Sequence, residues 1–214
     1  MSKLRFSIAM SLDGFSAGPD QGLENPMGTG GMKLHEWVFN LAAWRAPHGM
    51  EGGEVNESTI VVEEAQANVG ATIMGRNMFG GYPGPWNVEN PWTGWWDENP
   101  PFHHPVFVLT HFPREPLVME GGTTFHFVTD GYESALAQAR EAADGKDISL
   151  GGGANTVQQY LQAGLIDQMT VNLAPVLLGS GVKLFDNIGD NLHGLKLTRT
   201  IATPSVVHLK FERP

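Results

Sequence analysis

The segment with the clearest chemical meaning is a run of three glycines, Gly151-Gly152-Gly153. It lies between an apolar stretch, Ile148-Ser149-Leu150, and a stretch of helical composition that begins Ala154-Asn155-Thr156. Glycine lets the backbone approach a ligand closely, and the first amides of a helix have no acceptor within the helix and suit a phosphate. Because three glycines lose more conformational entropy than an ordinary turn requires, we expect phosphate binding here. A tight strand-to-helix turn without a ligand is the alternative.

A second candidate phosphate site follows another apolar stretch, which ends at Gly75. The next residues are Arg76, Asn77 and Met78, and a guanidinium group can donate two parallel hydrogen bonds to a phosphate. Two such junctions could hold the two phosphates of one dinucleotide from opposite sides. The glycine spacing of the Rossmann fingerprint is absent from the sequence, so the cradle would be of another kind. A surface arginine at a strand end is the alternative.

A hydroxyl and an imidazole, Thr110 and His111, follow a third apolar stretch. In open α/β sheets, ligands gather at the carboxyl ends of the strands. These two side chains could therefore hold an adenosine ribose or its 2′-phosphate, and an ordinary strand end is the alternative.

Two carboxylates are candidates for proton chemistry. Asp13 lies in Ser11-Leu12-Asp13-Gly14 after the first apolar stretch; it is our first candidate for polarising a substrate or relaying a proton, although Asp-Gly is also a turn signal. Glu36, in a stretch of helical composition, is the second candidate. The eight histidines show no H-E-x-x-H spacing, so no metal site is expected.

The elements that must position these residues follow from apolar periodicity. Strands are predicted over residues 4–10, 71–75, 105–110, 124–129, 147–150, 169–178, 195–203 and 205–211. Helices are predicted over 35–44, from an N-cap at Ser58 to about residue 68, over 132–143 and over 154–163. The middle strands are apolar on both faces, which predicts a single α/β domain over 1–214 with a mostly parallel sheet between helices. The alternating C-terminal pair predicts an antiparallel hairpin.

A stretch rich in Trp, Pro and Gly, residues 80–104, interrupts this pattern and is called the Trp-rich segment below. It could form an aromatic wall or lid over a flat ring, a satellite core, or a subunit interface. We expect a homodimer from the apolar and Trp content. The segment contains four of the six tryptophans, namely Trp86, Trp92, Trp95 and Trp96.

Composition excludes several classes of protein. The 214 residues include 13 Lys and Arg against 23 Asp and Glu, a net charge of −10, which disfavours nucleic-acid binding. The absence of Cys excludes disulfides and thiolate chemistry. No apolar run approaches the roughly 18 residues of a membrane span, and residues 1–14 do not resemble a signal peptide. We therefore expect a cytoplasmic protein with a small-molecule substrate and no membrane partner.

The assembled motifs resemble those of the dihydrofolate reductase-like superfamily. More narrowly, the chain is similar to the reductase domain of the bacterial riboflavin-biosynthesis deaminase-reductase and its stand-alone relatives, over nearly its whole length. The marks of this resemblance are Ser11-Leu12-Asp13-Gly14, Met74-Gly75-Arg76-Asn77-Met78-Phe79, Val108-Leu109-Thr110-His111, Leu150-Gly151-Gly152-Gly153 and Pro175-Val176-Leu177-Leu178-Gly179-Ser180-Gly181.

The resemblance implies a central mixed sheet that binds NADPH across its strand ends. Residues 152–156 would take the pyrophosphate, with Asn77 and Met78 opposite, and Arg76, Thr110 and His111 would lie near the 2′-phosphate. The Ser11–Gly14 loop and Ala9 would lie near the nicotinamide and the substrate, and Leu178 and Gly179 would line the same cleft. The implied cofactor is NADP(H).

Three functions are compatible with these residues. The first is an NADPH-dependent reductase that transfers a hydride to a C=N or C=O carbon of a small, flat heterocycle resembling a pterin or pyrimidinone. The second is a non-catalytic NADP(H)-binding protein. The third is a reductase on the same fold that uses a flavin or deazaflavin.

Overall fold

The computed structural model describes residues 2–81, 83–190 and 192–214. Its main feature is a nine-stranded sheet in the order β10-β11-β8-β1-β7-β3-β4-β6-β5. The strands are β1 Leu4–Ser11, β2 Phe15–Ala17, β3 Val69–Gly75, β4 Pro105–Leu109, β5 Leu117–Val118, β6 Thr124–Val128, β7 Asp147–Gly152, β8 Gln168–Ala174, β9 Val182–Lys183, β10 Lys196–Ala202 and β11 Val207–Glu212.

The helices connect and cover these strands. The α-helices are α1 Glu36–Phe39, α2 Ala42–Arg45, α3 Thr59–Gln66, α4 Arg76–Phe79, α5 Tyr132–Ala142 and α6 Ala154–Gln162. Short 3-10 helices span Gly31–His35, Ala46–His48 and Glu120–Gly122.

Six neighbouring strands, from β8 through β1, β7, β3 and β4 to β6, run parallel. Their carboxyl ends therefore meet along one edge of the sheet. The C-terminal hairpin β10–β11 is antiparallel, as the alternating sequence pattern predicts, and β11 pairs with β8. The mixed, mostly parallel sheet confirms the predicted fold class.

The two faces of the sheet bury different cores. Alternate residues of the parallel strands, including Leu4, Ile73 and Leu150, pack against α5 and α6. The opposite face carries three separate clusters. One joins Met74 and Val108 to rings of the Trp-rich segment, one packs Leu34 against Ala9 and Ala174, and one packs α1, α2 and α3 together.

The helix predicted over residues 35–44 is wrong as a single element. Leu41 is extended, with φ −74° and ψ 132°, and it separates α1 from α2, each of which has four residues. Leu41 and Val38 are nevertheless buried together with Val62 of α3. The apolar spacing thus identified buried residues, but at Leu41 the backbone pairs with Glu54, and periodicity does not reveal this pairing.

Other predicted boundaries shift by a few residues. β8 ends at Ala174 and not at residue 178, and β7 continues to Gly152. α3 begins after Ser58 as predicted, but the Ser58 hydroxyl makes no cap bond to the helix. Within the described part of the chain, no helix is long and apolar enough to cross a membrane.

Candidate active site

A cavity of about 1020 Å³ runs along the carboxyl ends of the six parallel strands. Every one of these strands contributes to its wall. The contributing residues are Asn172 of β8, Ala9 of β1, Gly151 and Gly152 of β7, Gly75 of β3, Leu109 of β4 and Val128 of β6. The topology therefore brings together the sequence motifs that follow β3, β4 and β7.

The glycine run forms the turn between β7 and α6. Gly152 has φ 123°, a conformation that other residues rarely adopt, and the Gly152–Gly153 peptide is cis. A Cβ atom at Gly153 would meet no other atom within 4 Å, so its surroundings are open. Gly153 precedes the first turn of the nine-residue helix α6, which contains no acidic residue. This turn can therefore present helix N-terminal amides to an anion in the cavity.

Gly75 lies against this turn. A Cβ atom at Gly75 would come within 2.4 Å of the Thr156 hydroxyl oxygen, and it would lie 3.7 Å from the Gly153 nitrogen. A glycine at the end of β3 is therefore needed for the β7–α6 turn to approach the β3–α4 turn. The two glycine junctions predicted from the sequence do adjoin one another. Both line the cavity, together with Asn77, Met78, Ala154 and Asn155.

The second junction is not a full helix end. α4 is a single turn of four residues, so it contributes little of the dipole that a longer helix would provide. The group of α4 that can bind an anion is the side chain of Arg76, whose guanidinium carbon lies 3.6 Å from the centre of the Trp86 ring. Burial lowers the pKa of Arg76, and the nearby Arg114 lowers it further, but an arginine stays protonated at neutral pH.

Thr110 and His111 line the same part of the cavity as Arg76. Thr110 is buried and its hydroxyl accepts a hydrogen bond from the Phe112 amide at 3.2 Å, whereas His111 is exposed. The Trp86 indole donates to the Phe112 carbonyl at 2.8 Å. The turn after β4 and the arginine after β3 thus meet at Trp86. We call the walls formed by Gly75–Met78, Thr110, His111 and Gly151–Thr156 the glycine end of the cavity.

The Trp-rich segment forms mainly a satellite core. Trp86 and Trp96 pack against Phe79, Phe125 and Phe127. The indoles of Trp92 and Trp95 donate to the carbonyls of Phe79 and Met78, each at 2.9 Å. Since these carbonyls belong to α4, the segment holds the turn after β3 in place. Trp95 and Trp96 also contribute to the cavity wall.

Asp13 binds a neighbouring loop. Its carboxylate accepts hydrogen bonds from the Ser11 hydroxyl at 2.6 Å, the Gly179 amide at 2.7 Å and the Leu178 amide at 3.2 Å. The Ser11 hydroxyl, and then the two amides, lower the pKa of Asp13 to about 2. Among the described residues, none of these four belongs to the cavity wall. A carboxylate that is ionised and bonded in this way is a poor proton donor at neutral pH.

The second predicted acid is also outside the cavity. Glu36 is exposed at the start of α1, and its neighbours His35 and Trp37 face the cavity in its place. Burial lowers the pKa of His35, so this imidazole is neutral at pH 7. The segment around Glu36 thus reaches the cavity wall, but through His35 and Trp37 and not through Glu36.

Sequence reasoning missed a buried hydrogen-bond chain at the other end of the cavity. The His208 imidazole contacts the Ser58 hydroxyl at 2.9 Å and the Asn172 side-chain oxygen at 2.7 Å. The Asn172 side-chain nitrogen donates to the Ser7 hydroxyl at 3.0 Å. Ser7 and Asn172 line the cavity. These residues come from β1, β8, β11 and the start of α3, so no local motif could reveal them.

Aromatic and apolar side chains complete that end. Trp37 contributes a ring that meets His208 edge-on at 4.9 Å, and Trp44, Val61 and Val62 lie on the same wall. We call this part of the cavity, with Ser7, Ala9 and Asn172 on its sheet side, the aromatic end.

The residues at the glycine end fit the dinucleotide that the resemblance implies. The open space beside Gly153, the N-terminal amides of α6 and the adjacent cation Arg76 match a diphosphate with a further phosphate nearby.

Comparison with known proteins gives the family. The family model described as "RibD C-terminal domain" matches residues 2–209. The chain belongs to this family. Its members share a reductase domain, and the resemblance stated from the motifs is thereby confirmed.

Two relatives from Bacillus subtilis (strain 168), both uncharacterised, match parts of this chain. YyaP is 38% identical over 56 residues, which are 26% of this chain and 29% of YyaP. YwjB is 30% identical over 87 residues, which are 41% of this chain and 49% of YwjB. The matched regions thus span less than half the length of either relative.

Solved structures confirm the fold. A protein from Shewanella sp. PV-4 assigned to riboflavin biosynthesis has a TM-score of 0.62 at 21% identity, with 100% of this chain and 99% of that chain covered. The Thermotoga maritima deaminase and 5-amino-6-(5-phosphoribosylamino)uracil reductase has 0.59 at 13% identity, with 100% of this chain and 57% of that chain covered. Enterococcus faecalis dihydrofolate reductase, complexed with NADP(H), has 0.51 at 11% identity, with 99% and 96% covered.

Proposed function

We propose that this protein is an NADPH-dependent reductase that transfers a hydride to a C=N or C=O carbon of a small heterocycle. One observation carries the proposal: a single cavity connects two adjoining glycine turns to an aromatic wall, across the ends of six parallel strands. The reductase family and the NADP(H)-bound dihydrofolate reductase of the same fold support it.

The glycine end supplies the cofactor subsite in this proposal. The amides that open α6, including those of Asn155 and Thr156, hold the pyrophosphate, and Asn77 and Met78 lie opposite. Arg76 binds the 2′-phosphate, with Thr110 and His111 beside it. When bound, NADPH supplies the hydride, and the protein orients the two rings and excludes water from between them.

The substrate is a pterin-like or pyrimidinone-like ring at the aromatic end. The name of the Thermotoga protein gives its reductase substrate as a uracil that carries a phosphoribosylamino group, which supports a pyrimidinone-like ring as the substrate class here. The homodimer and the cytoplasmic location stay predictions of the sequence.

The test is a titration with NADPH and NADH that follows quenching of the emission of the six tryptophans. We expect NADPH to bind at least about tenfold more tightly than NADH, since hydrogen bonds between charged partners contribute about 1.5–3 kcal/mol. Arg76→Met is expected to remove most of this preference. Arg140→Met is the matched control, because Arg140 is exposed on α5 and does not line the cavity.

Two results would contradict the proposal in different ways. Equal affinity for the two cofactors in the unmodified protein would remove the role assigned to Arg76. Absence of binding of either cofactor would end the proposal of a nicotinamide-dependent reductase.

A further inference from the structure

The aromatic end of the cavity has no formal charge. Among the described residues that line the whole cavity, there is no Asp, Glu or Lys, and Arg76 is the one arginine. Arg76 belongs to the glycine end. The imidazole of His35 is kept neutral by burial, which lowers its pKa. A ligand at the aromatic end therefore meets hydroxyl, amide and aromatic groups and no counter-charge.

Two nearby cations do not change the absence of charge on this wall. The charge of Arg199 acts on His208, but Arg199 is paired with the Glu64 carboxylate at 2.5 Å and is not among the lining residues. Lys183 lies next to the lining residue Val182, on the β2–β9 ribbon. Its ammonium group lies 5.8 Å from the centre of the Phe15 ring, and Lys183 is not part of the wall.

The hydrogen-bond chain determines whether the Ser7 hydroxyl acts as a donor or as an acceptor towards a ligand. The Asn172 oxygen accepts from His208 Nδ1, so His208 Nε2 accepts from the Ser58 hydroxyl. Burial, and after it the nearby charge of Arg199, lower the pKa of His208 to about 4, which keeps the imidazole neutral. The Asn172 nitrogen then donates to the Ser7 oxygen. With its oxygen engaged as an acceptor, the Ser7 hydroxyl has its proton available for a ligand in the cavity.

The Ser7 hydroxyl is held in place by buried neighbours on the adjacent strands. His208, Asn172 and Ser58 are each at most 4% exposed, and Ala9, Asn172 and His208 are direct neighbours across β1, β8 and β11. Ser7 by contrast is exposed, and it faces the cavity. The Trp37 ring packs edge-on against His208. A planar ring bound against Trp37 would therefore lie within reach of the sheet side of this end.

We propose that the aromatic end binds an uncharged, planar heterocycle, one of whose carbonyl or ring-nitrogen atoms accepts a hydrogen bond from the Ser7 hydroxyl. This inference rests on the proposed reductase function and names its substrate class. A phosphate or carboxylate placed at this end would lose its hydration without gaining a cation, at a cost of several kcal/mol. The net charge of −10 adds to this penalty. Ser58, His208 and Asn172 are positioning residues for Ser7.

The experiment compares two probes of nearly equal shape, 6-hydroxymethylpterin and pterin-6-carboxylate. Their binding is measured by the change in pterin fluorescence, with and without saturating NADP⁺. We expect the neutral pterin to bind at least about tenfold more tightly than the carboxylate. Equal or tighter binding of the carboxylate would overturn the inference, as would binding of neither pterin.

Variants of Ser7 test the donor. Ser7→Ala is expected to weaken binding of 6-hydroxymethylpterin about fivefold, the effect of one lost neutral hydrogen bond. Ser7→Thr keeps the hydroxyl and is expected to restore binding. Ser205→Ala, in the exposed turn between β10 and β11, is the matched control. Unchanged binding in Ser7→Ala, or loss in Ser7→Thr equal to that in Ser7→Ala, would overturn the role of the hydroxyl.

A positioning role for Ser58 predicts a partial effect. Ser58 does not line the cavity, so Ser58→Ala is expected to weaken the neutral pterin about twofold and to leave NADPH affinity unchanged. Titration of NADPH on the same samples separates the two proposals. Binding of NADPH without binding of either pterin contradicts the substrate class alone, and binding of the neutral pterin without NADPH contradicts the proposed reductase alone.

Discussion

The glycine end and the aromatic end of the cavity are built from different parts of the polypeptide. At the glycine end the wall is largely backbone, because Gly75 and Gly151–Gly153 allow two turns to adjoin and to present amides beside Arg76. At the aromatic end the wall is made of side chains, and its polar atoms form a chain that includes the buried His208. The first arrangement suits an anion and the second suits a neutral ring.

This difference explains which half the sequence could reveal. Backbone sites leave local signals, since glycines must occur where a strand meets a helix. A site made of side chains on several strands leaves none. Ser7 and Asn172 are separated by 165 positions along the chain, and Ser58 and His208 by 150.

The largest effect is expected at Gly75. Its φ of −81° and ψ of 160° suit any residue, so Gly75→Ala introduces no backbone strain, and its effect arises from the 2.4 Å contact with the Thr156 hydroxyl. We expect NADPH affinity to fall more than about tenfold and the free energy of unfolding to fall by about 1–3 kcal/mol. Cofactor titration and chemical denaturation measure the two quantities, and pterin affinity without NADP⁺ is expected to change little.

Two further variants test whether the steric contact with Thr156 causes the effect of Gly75→Ala. Adding Thr156→Ala to Gly75→Ala removes the clashing oxygen and is expected to restore most of the stability. Gly22→Ala is the control, because a Cβ atom there would meet no other atom within 4 Å. A double variant as unstable as Gly75→Ala would show that the contact with Thr156 is not the cause.

An intermediate effect is expected from two histidines with lowered pKa values, the buried His208 beside the aromatic end and the half-buried His104 away from the cavity. Burial followed by the charge of Arg199 lowers the pKa of His208 to about 4, and burial followed by His103 and Lys146 lowers the pKa of His104 to about 4. The unfolded chain binds protons more readily than the folded protein between pH 6.5 and 4. Each histidine therefore contributes stability that is complete above pH 6.5 and is lost as the pH falls towards 4, by at most about 3 kcal/mol.

The two histidines differ in what else their loss changes. His104 bonds to Thr72 at 2.8 Å and does not line the cavity or join the chain to Ser7. We expect both His104→Gln and His208→Gln to reduce the pH dependence of the free energy of unfolding between pH 4 and 6.5, as measured by denaturation. His208→Gln alone is expected to weaken 6-hydroxymethylpterin binding at pH 7. Equal effects of both variants on pterin binding would contradict the assigned chain.

Much of the fold could be predicted from the sequence, because a short apolar run that ends at a glycine is typical of a buried parallel strand. The six central strands lie where the pattern predicts them, within a few residues. The break at Leu41 could not be predicted, because there the backbone pairs with Glu54, which lies outside the apolar repeat. The role of Asp13 could not be predicted either, since Asp-Gly after a strand is equally a turn signal. Its hydrogen-bond partners Leu178 and Gly179 are 165 and 166 positions away along the chain.

The smallest effect on activity is expected at Asp13. The sequence predicts a catalytic acid there, whereas the geometry supports a side chain that holds the Leu178–Gly179 loop by hydrogen bonds. Asp13→Asn keeps the side-chain shape but replaces one acceptor with a donor facing an amide, so we expect the melting temperature to fall by about 2–4 °C. Because the pKa of Asp13 is lowered to about 2, the stability that its hydrogen bonds contribute is complete above pH 3.8 and is lost as the pH falls towards 2.

The rate of NADPH oxidation by Asp13→Asn with a neutral pterin at pH 7 is expected to stay within about twofold of the unmodified rate, since removing a group outside the cavity wall leaves transition-state contacts intact. Asp144→Asn, at an exposed position after α5, controls for the change of charge. A large loss of rate in Asp13→Asn with an unchanged melting temperature would show instead that Asp13 takes part in the reaction.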